Sequence, residues 1–395
     1  MTIQSSPTRP AGSRERTLDE VKAEILRRAG KFSPFEDIRA QDAATVMNAL
    51  ESLDRDHWAA AWCKVGLAYE AAGDARAKAG AGGSELAELF LQGFDTCRVG
   101  RYPAPTSPGQ LDAYRHSLRI FRKAAPYLEP RLEIVELPFE GKTLVGHLQL
   151  PPGVKNPPVV LHWGGVDGWK EDRLHVSGLV MNAGLASLAV DMPGTGEHPF
   201  LYGDEAAERT YIAWMDYLAT RRELDARRIG VWGGSFGAYW AARLAHVAPD
   251  RIGGAVFHGG NVHYGFQPEW LVPAFTTGGA TYLFGAASLL DARGRAVGTK
   301  SMEEFLAAVP RFSLKAMGLL DKPSAPLLCV NGKLDDQAPI ADVYLLMEHG
   351  SPKAARIYPD GHHMGRTPGI PYEDILKMIV EWLREQLTAA AARGK

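Results

Sequence analysis

Cysteine is scarce in this chain. Cys63, Cys97 and Cys329 are scattered over 395 residues. An odd, dispersed set gives neither a disulfide framework nor a CxxC zinc pattern, and it is what a reducing, cytoplasmic compartment permits. Net charge is scarce too: 44 Lys+Arg against 46 Asp+Glu leave −2. No overall field draws the chain to nucleic acid or to an anionic membrane. The N-terminus, residues 1–16, is rich in Ser, Pro and Arg and has no apolar stretch, so it reads as a flexible arm and not as a secretory signal. The single long uncharged run, Trp270 to Leu290, would reach across a bilayer in length. Pro273, Thr276, Thr277, Gly278, Gly279 and Ser288 interrupt it, which points to a buried lid or core segment.

What is present is ordinary globular material. Hydrophobic residues make up 46% and charged residues 23%, enough to build a core and too apolar for a disordered chain. The length allows two to three domains, or one enlarged α/β domain with an appendage. The 42 glycines and 26 prolines imply many turns.

The character changes near residue 130. Upstream, the apolar spacing is helical. Thr17 and Glu20 form a capping box, and Ala43 to Leu53, Trp58 to Ala71, Glu85 to Cys97 and Gln110 to Tyr127 follow, with expected breaks at Gly73, Gly80 to Gly83 and Pro103 to Pro108. Trp62 to Asp74 is a little like one tetratricopeptide unit, but no second copy follows at a fixed period. Downstream, Leu132 to Leu137 and Leu144 to Leu150 alternate around Glu140-Gly141-Lys142 as a hairpin. Short continuous apolar runs come next: Val159 to Trp163, Ala186 to Val190, Ile229 to Trp232, Ala255 to His258, Pro326 to Val330 and Ala355 to Tyr358. Such runs are central strands of a parallel sheet covered on both faces. Helices fit at Phe236 to Val247 and Tyr372 to Leu387. The expected organisation is an arm over 1–16, a helical N-terminal cap domain over 17–130, and a catalytic α/β domain over 131–395 with a lid insertion at about 261–322.

The sharpest chemical signal is Gly233-Gly234-Ser235-Phe236-Gly237, between a strand and a helix. That context turns a bare Gly-x-Ser-x-Gly pattern into a nucleophile elbow, with the serine lifted to the sheet edge and the next helix favouring negative charge. A serine needs a base, and the base needs an orienter. Asp335, in the loop after the strand ending at Val330, is the candidate acid, with Asp336 the alternative. Two histidines, His362 and His363, compete for the base after the last strand, and a Gly-His junction favours His362. The Phe236 N–H is the expected first oxyanion donor. The second is expected from the loop Gly164 to Gly168, at Val166 or else Gly165. Asp191-Met192-Pro193-Gly194-Thr195-Gly196 lacks the lysine and spacing of a phosphate loop and reads as a tight turn. His258 and His263 flank the lid entrance and are candidates to face substrate. Tyr264, Phe266, Trp270, Phe275, Tyr282 and Phe284 are candidates for a planar-ligand pocket or for lid packing. No metal-ligand spacing occurs among the histidines, so no metal and no cofactor is expected.

These motifs together resemble the α/β-hydrolases that include 2,6-dihydroxypseudooxynicotine hydrolase and the fungal heptaketide-shortening hydrolases of pigment biosynthesis. Gly165-Val166-Asp167-Gly168-Trp169-Lys170-Glu171-Asp172 is similar to that family's Gly-Leu-Glu/Asp segment with a following basic residue, and Asp191 to Gly196 to its Asp-x-Pro-Gly-x-Gly turn. The resemblance implies an α/β-hydrolase fold behind a helical region that covers the active edge. Its histidine stands two residues after an Asp-Gly pair, which here favours His363, with Ser235 and Asp335 completing a triad. Some members hydrolyse a carbon–carbon bond beside a ketone with help from a glutamate whose matched position is Asp167; others are plain esterases. The shorter acid at 167 argues against a nicotine-type substrate. The competing role for Asp167 is an N-cap of the following helix. The implied partner is a small-molecule substrate, with no nucleic acid and no membrane. A homodimer stays open, because the family often dimerises and no sequence feature marks an interface.

Overall fold

The computed structural model describes residues 16–31, 34–276, 282–350 and 353–392. The chain divides into two compact units, one of Met1–Leu132 with Phe275–Arg295 and one of Glu133–Ala274 with Ala296–Lys395. The interval read as a single lid over 261–322 is thus divided between them, and its residues 277–281 lie outside the described set, as do residues 1–15 of the arm.

The first unit is helical, built from α1 (Leu18–Arg28), α2 (Ala40–Ala49), α3 (Arg55–Lys78), α4 (Gly83–Gly100) and α5 (Pro108–Ala124). The Thr17–Glu20 capping box starts α1 as read from the sequence. Gly73 does not break α3, which runs on to Lys78. A Cβ at Gly73 would lie 2.5 Å from the Phe90 ring, and one at Gly66 would lie 2.5 Å from Cys97 Sγ and 2.7 Å from the Gly93 carbonyl. These glycines admit α4 against α3; they do not end a helix. Phe284 meets Trp58 edge-on at 4.9 Å, and Tyr282 lies 6.0 Å from Tyr102. A half-open cleft of about 590 Å³ in this unit is walled by Trp58, Tyr102, Phe284, Arg55 and Asp291 among others.

The second unit carries an eight-stranded sheet in the order β1-β2-β4-β3-β5-β6-β7-β8. Its strands are β1 (Leu132–Phe139), β2 (Lys142–Gln149), β3 (Val159–Trp163), β4 (Ala186–Val190), β5 (Ile229–Gly234), β6 (Gly254–His258), β7 (Leu327–Gly332) and β8 (Lys353–Tyr358). Glu140 and Gly141 both take positive φ, 49° and 71°, which a two-residue hairpin between β1 and β2 requires. β2 pairs antiparallel with β4, and the pairs from β4 through β8 are parallel. This is the α/β-hydrolase arrangement expected from the sequence. On one face α6 (Leu174–Asn182) and α13 (Tyr372–Ala392) set Val176, Val180, Ile375, Ile379 and Leu383 against Val160, Trp232, Val256 and Leu328. The i, i+4 spacing of Ile375, Ile379 and Leu383 is the apolar stripe that fixes α13 on the sheet. Register does the rest of the positioning. Trp163 pairs with Gly233, Gly234 with His258, His258 with Val330, and Gly332 with Tyr358. The carboxyl ends of these strands therefore lie side by side, where open α/β sheets place their sites. Among the described residues no helix is long and apolar enough to cross a membrane.

Candidate active site

Ser235 sits at the turn from β5 into α8 (Ala238–Val247), with φ at 53°. A non-glycine residue in that region is strained and must be held from outside. The glycines around it do so by close approach. A Cβ at Gly233 would fall 2.5 Å from the Gly237 carbonyl, and one at Gly237 would fall 2.1 Å from the Gly164 carbonyl. Trp163 Nε1 donates to the Gly237 carbonyl at 2.8 Å. The elbow is thereby clamped to the end of β3. Gly165 faces the serine so closely that a Cβ there would lie 2.8 Å from Ser235 Cβ, 3.1 Å from its Oγ and 3.3 Å from the Phe236 nitrogen.

The loops after β7 and β8 bring the partners. Leu334 N–H donates to the Gly361 carbonyl at 2.8 Å, and a Cβ at Gly332 would fall 2.1 Å from that carbonyl, so the two loops lie in contact. Across this seam His363 Nδ1 donates to Asp335 Oδ2 at 2.9 Å, leaving Nε2 to accept from Ser235 Oγ at 2.8 Å. Asp335 Oδ1 accepts the N–H groups of Gln337 (2.8 Å) and Ala338 (3.1 Å). Burial alone would push the Asp335 carboxyl up. The charge and hydrogen bond of His363, with the Gln337 N–H and the Asn331 side chain, outweigh it and hold the group below its ordinary value. His362 is exposed, and only its neighbour meets the serine. Of the two histidines, His363 is the one hydrogen-bonded to both Ser235 and Asp335. Asp336 is likewise not the residue that His363 meets. A hydroxyl on an imidazole that is held by a buried carboxylate is the arrangement acyl transfer uses.

Val166 and Phe236 are buried, and Asp167 beside Val166 is half-buried. Asp167 does not cap the next helix. A short 3₁₀ turn over Lys170–Arg173 has Trp169 at its cap position, whose N–H donates to Asp172 Oδ2 at 2.7 Å. Behind this loop lies a polar knot the sequence gave no hint of. Lys170 Nζ, fully buried, meets Glu171 at 2.6 Å and Asp191 and Glu197 at 2.9 Å each. Three carboxylates share one ammonium, and desolvation pushes the Glu171 carboxyl up to about 7. The turn from Asp191 to Gly196 cradles its own carboxylate. A Cβ at Gly196 would fall 2.1 Å from Asp191 Oδ2, and the Glu197 and Lys170 N–H groups donate to Asp191 at 2.9 Å. The volume a phosphate would take is filled from within.

The other candidates scatter. His258 is buried, and its Nε2 donates to the Met364 carbonyl at 2.9 Å. His263 Nδ1 meets Ser313 Oγ at 2.7 Å. Phe266 packs in an aromatic cluster with Phe236, Tyr239 and Phe312, Tyr264 is exposed, and Phe275, Tyr282 and Phe284 belong to the helical unit. No group of three or more metal-ligating side chains is assembled among the described residues.

With this geometry established, comparison with known proteins places the chain. The family model for FrsA-like esterases matches residues 37–388. The chain belongs to the FrsA-like esterase family. It is accordingly an enzyme, a hydrolase of the α/β-hydrolase type. Esterase FrsA of Photobacterium profundum is 26% identical over 340 residues, covering 84% of this chain and 77% of that one. The 2,6-dihydropseudooxynicotine hydrolase of Paenarthrobacter nicotinovorans is 31% identical over 146 residues, 36% of this chain and 39% of that protein. Among solved structures, 2,6-dihydroxy-pseudo-oxynicotine hydrolase superposes with a TM-score of 0.74 at 19% identity, covering 93% of this chain and 96% of that one. AbyA5 superposes at 0.71 with 20% identity, covering 96% and 100%. At those identities the likeness speaks for the fold, and it extends over nearly the whole length.

Proposed function

We propose that this FrsA-like protein is a serine hydrolase in which Ser235 is the nucleophile, His363 the base and Asp335 the residue that orients it. The observation that carries this reading is the continuous line of hydrogen bonds from Ser235 Oγ through His363 to Asp335, at 2.8 and 2.9 Å. His363 takes the hydroxyl proton as Oγ bonds to a substrate carbonyl carbon. The N–H groups of Phe236 and Val166 receive the oxyanion. Collapse expels the leaving group with its electron pair, and His363 returns the proton. Water, deprotonated in turn by His363, then releases the acid and restores Ser235. No cofactor enters these steps, and the three buried free thiols suit a reducing compartment.

For the bond, we infer a carbon–carbon bond beside a ketone, in a small aromatic or polyketide-like substrate. The support is Asp167, a half-buried carboxyl that follows Val166 in the loop. Breaking such a bond leaves an enolate, which needs a proton or a hydrogen bond at once, and a protonated Asp167 can supply either. The match to esterase FrsA over 84% of this chain favours a second reading, hydrolysis of small aryl or acyl esters, in which an alcohol leaves unaided. Asp167→Asn separates the two. On the first reading it lowers β-diketone turnover at least tenfold and leaves p-nitrophenyl ester hydrolysis within about threefold. Unchanged diketone turnover, or none in the wild type, gives the site to esters.

A further inference from the structure

Met364, the residue after His363, has φ 61° and ψ 24°, in the left-handed region. A side chain with a Cβ adopts that conformation only where its surroundings enforce it. Both of its backbone polar groups are taken by buried side chains from neighbouring strands. Its N–H donates to Asn331 Oδ1, at the end of β7, at 3.1 Å. Its carbonyl accepts from His258 Nε2, at the end of β6, at 2.9 Å. Asn331 Nδ2 in turn donates to the Ala338 carbonyl at 3.3 Å, and the Ala338 N–H donates to Asp335 Oδ1 at 3.1 Å. The circuit closes through Asp335 to His363 at 2.9 Å. Asn331 and His258 are both fully buried. Packing seals the same residue from the other side, since a Cβ at Gly259 would fall 2.7 Å from Met364 Cγ and one at Gly234 would fall 3.2 Å from its Cε.

We propose that Asn331 and His258 are positioning residues, which hold Met364 in its left-handed turn and so aim His363 between Ser235 and Asp335. The proposal rests on the reading of Ser235, His363 and Asp335 given above. The turn around His363 has bonds of its own, His362 N–H to the Arg366 carbonyl at 2.8 Å and Gly365 N–H to the His362 carbonyl at 2.9 Å, and Asp335 holds the ring at Nδ1. The bonds of Asn331 and His258 to Met364 add what these leave out, a hold on the backbone as it leaves His363. If either side chain fails to hold, φ at Met364 relaxes toward negative values, and the imidazole rotates off the serine. Asn331 fits this task for a chemical reason: its amide offers an acceptor to Met364 and, from a separate atom, a donor to Ala338 at once. His258 fits because it stays uncharged. Burial, together with the charges of Arg366, His363 and Arg173, drives it down to about 3 against the raising effect of its bond to Met364. The neutral ring carries its proton on Nε2, and its Nδ1 has no partner among the described residues.

The test uses the full-length enzyme and counts active sites by burst titration with a fluorophosphonate. In Asn331→Leu, kcat per titrated site on a p-nitrophenyl ester is expected to fall tenfold to a hundredfold, with KM within twofold of the wild type. His258→Leu is expected to lose about tenfold in kcat, while His258→Gln, which keeps an N–H donor at similar reach, stays within threefold. If Asn331→Leu does not fold, the two His258 variants decide the matter alone. A purely structural role lowers the yield of active protein and leaves kcat per site at the wild-type value in every variant, and that result overturns the proposal. Ser235→Ala runs alongside. If it still turns over ester, the underlying reading fails and the positioning role falls with it; if it is dead while the Leu variants are normal per site, only the positioning role is lost.

Discussion

A single methyl added at Gly165 reports on the space in front of Ser235. The new carbon of Gly165→Ala would sit 2.8 Å from Ser235 Cβ, closer than two side-chain carbons come, and 3.3 Å from the Phe236 nitrogen. Ser235 cannot retreat, because its φ of 53° is fixed by the clamp of Gly233 and Gly237 on the end of β3. The substituted loop must therefore move, and with it the Val166 N–H. Forcing such contacts costs about 1–3 kcal/mol. Displacing one oxyanion donor costs a further ~3–4 kcal/mol in the transition state, a factor of about 10²–10³. We expect kcat/KM on p-nitrophenyl acetate to fall by about 10²–10³, mostly in kcat, with a modest loss of thermal stability. The matched control is Gly168→Ala in the same loop, where the added methyl meets nothing within 4 Å. It should stay within about threefold of wild type. Equal activity of Gly165→Ala and wild type would refute the placement of the carbonyl between this loop and the elbow.

Three further outcomes follow from the same geometry. Gly66→Ala places a methyl 2.5 Å from Cys97 Sγ and 2.7 Å from the Gly93 carbonyl; overpacking of about 1–3 kcal/mol or more outweighs the ~1 kcal/mol helix propensity alanine adds, so urea denaturation should show a net loss. Glu171→Gln should matter with a definite sign of pH dependence. A carboxyl raised to about 7 in the folded state retains a proton that the unfolded chain releases, so wild-type stability falls as pH rises from about 4.5 to 7. The glutamine variant should then gain on the order of 1–2 kcal/mol at pH 8 and little at pH 4, read from thermal unfolding at both; a gain at low pH alone would contradict the cause assigned. His363→Ala should abolish ester hydrolysis by several orders of magnitude while His362→Ala, altering an exposed ring, leaves it within about twofold.

Much of the fold was legible because burial leaves a plain mark on a strand. Val159 to Trp163 and Ala186 to Val190 are buried along their whole length, and their apolar runs end where the strands end. The elbow was legible because its glycines stand at fixed offsets from Ser235. Glycine in a helix was not: Gly73 has the same letter whether it ends α3 or lets the Phe90 ring approach, and only the partner helix decides. The turn after β4 was legible as a tight turn, because Asp191 to Gly196 lacks the lysine and spacing of a phosphate loop, but that its glycine closes on Asp191's own carboxylate was not. Asn331 could not be singled out, and His258 reads as a candidate to face substrate, not as a brace for a turn. Their shared partner, Met364, lies 33 and 106 residues away, and nothing local marks a strand-end amide or imidazole as the holder of a distant turn. Which of the adjacent His362 and His363 meets Ser235 is a matter of one residue of register, and the two letters side by side do not carry it.

The most direct measurement is to label the full-length protein with a fluorophosphonate and locate the adduct by peptide mass spectrometry, in the wild type and in His363→Ala. The account predicts one adduct, on Ser235, formed at least a hundredfold more slowly without the imidazole. An adduct on another side chain, or labelling of Ser235 at the same rate in both proteins, would contradict it.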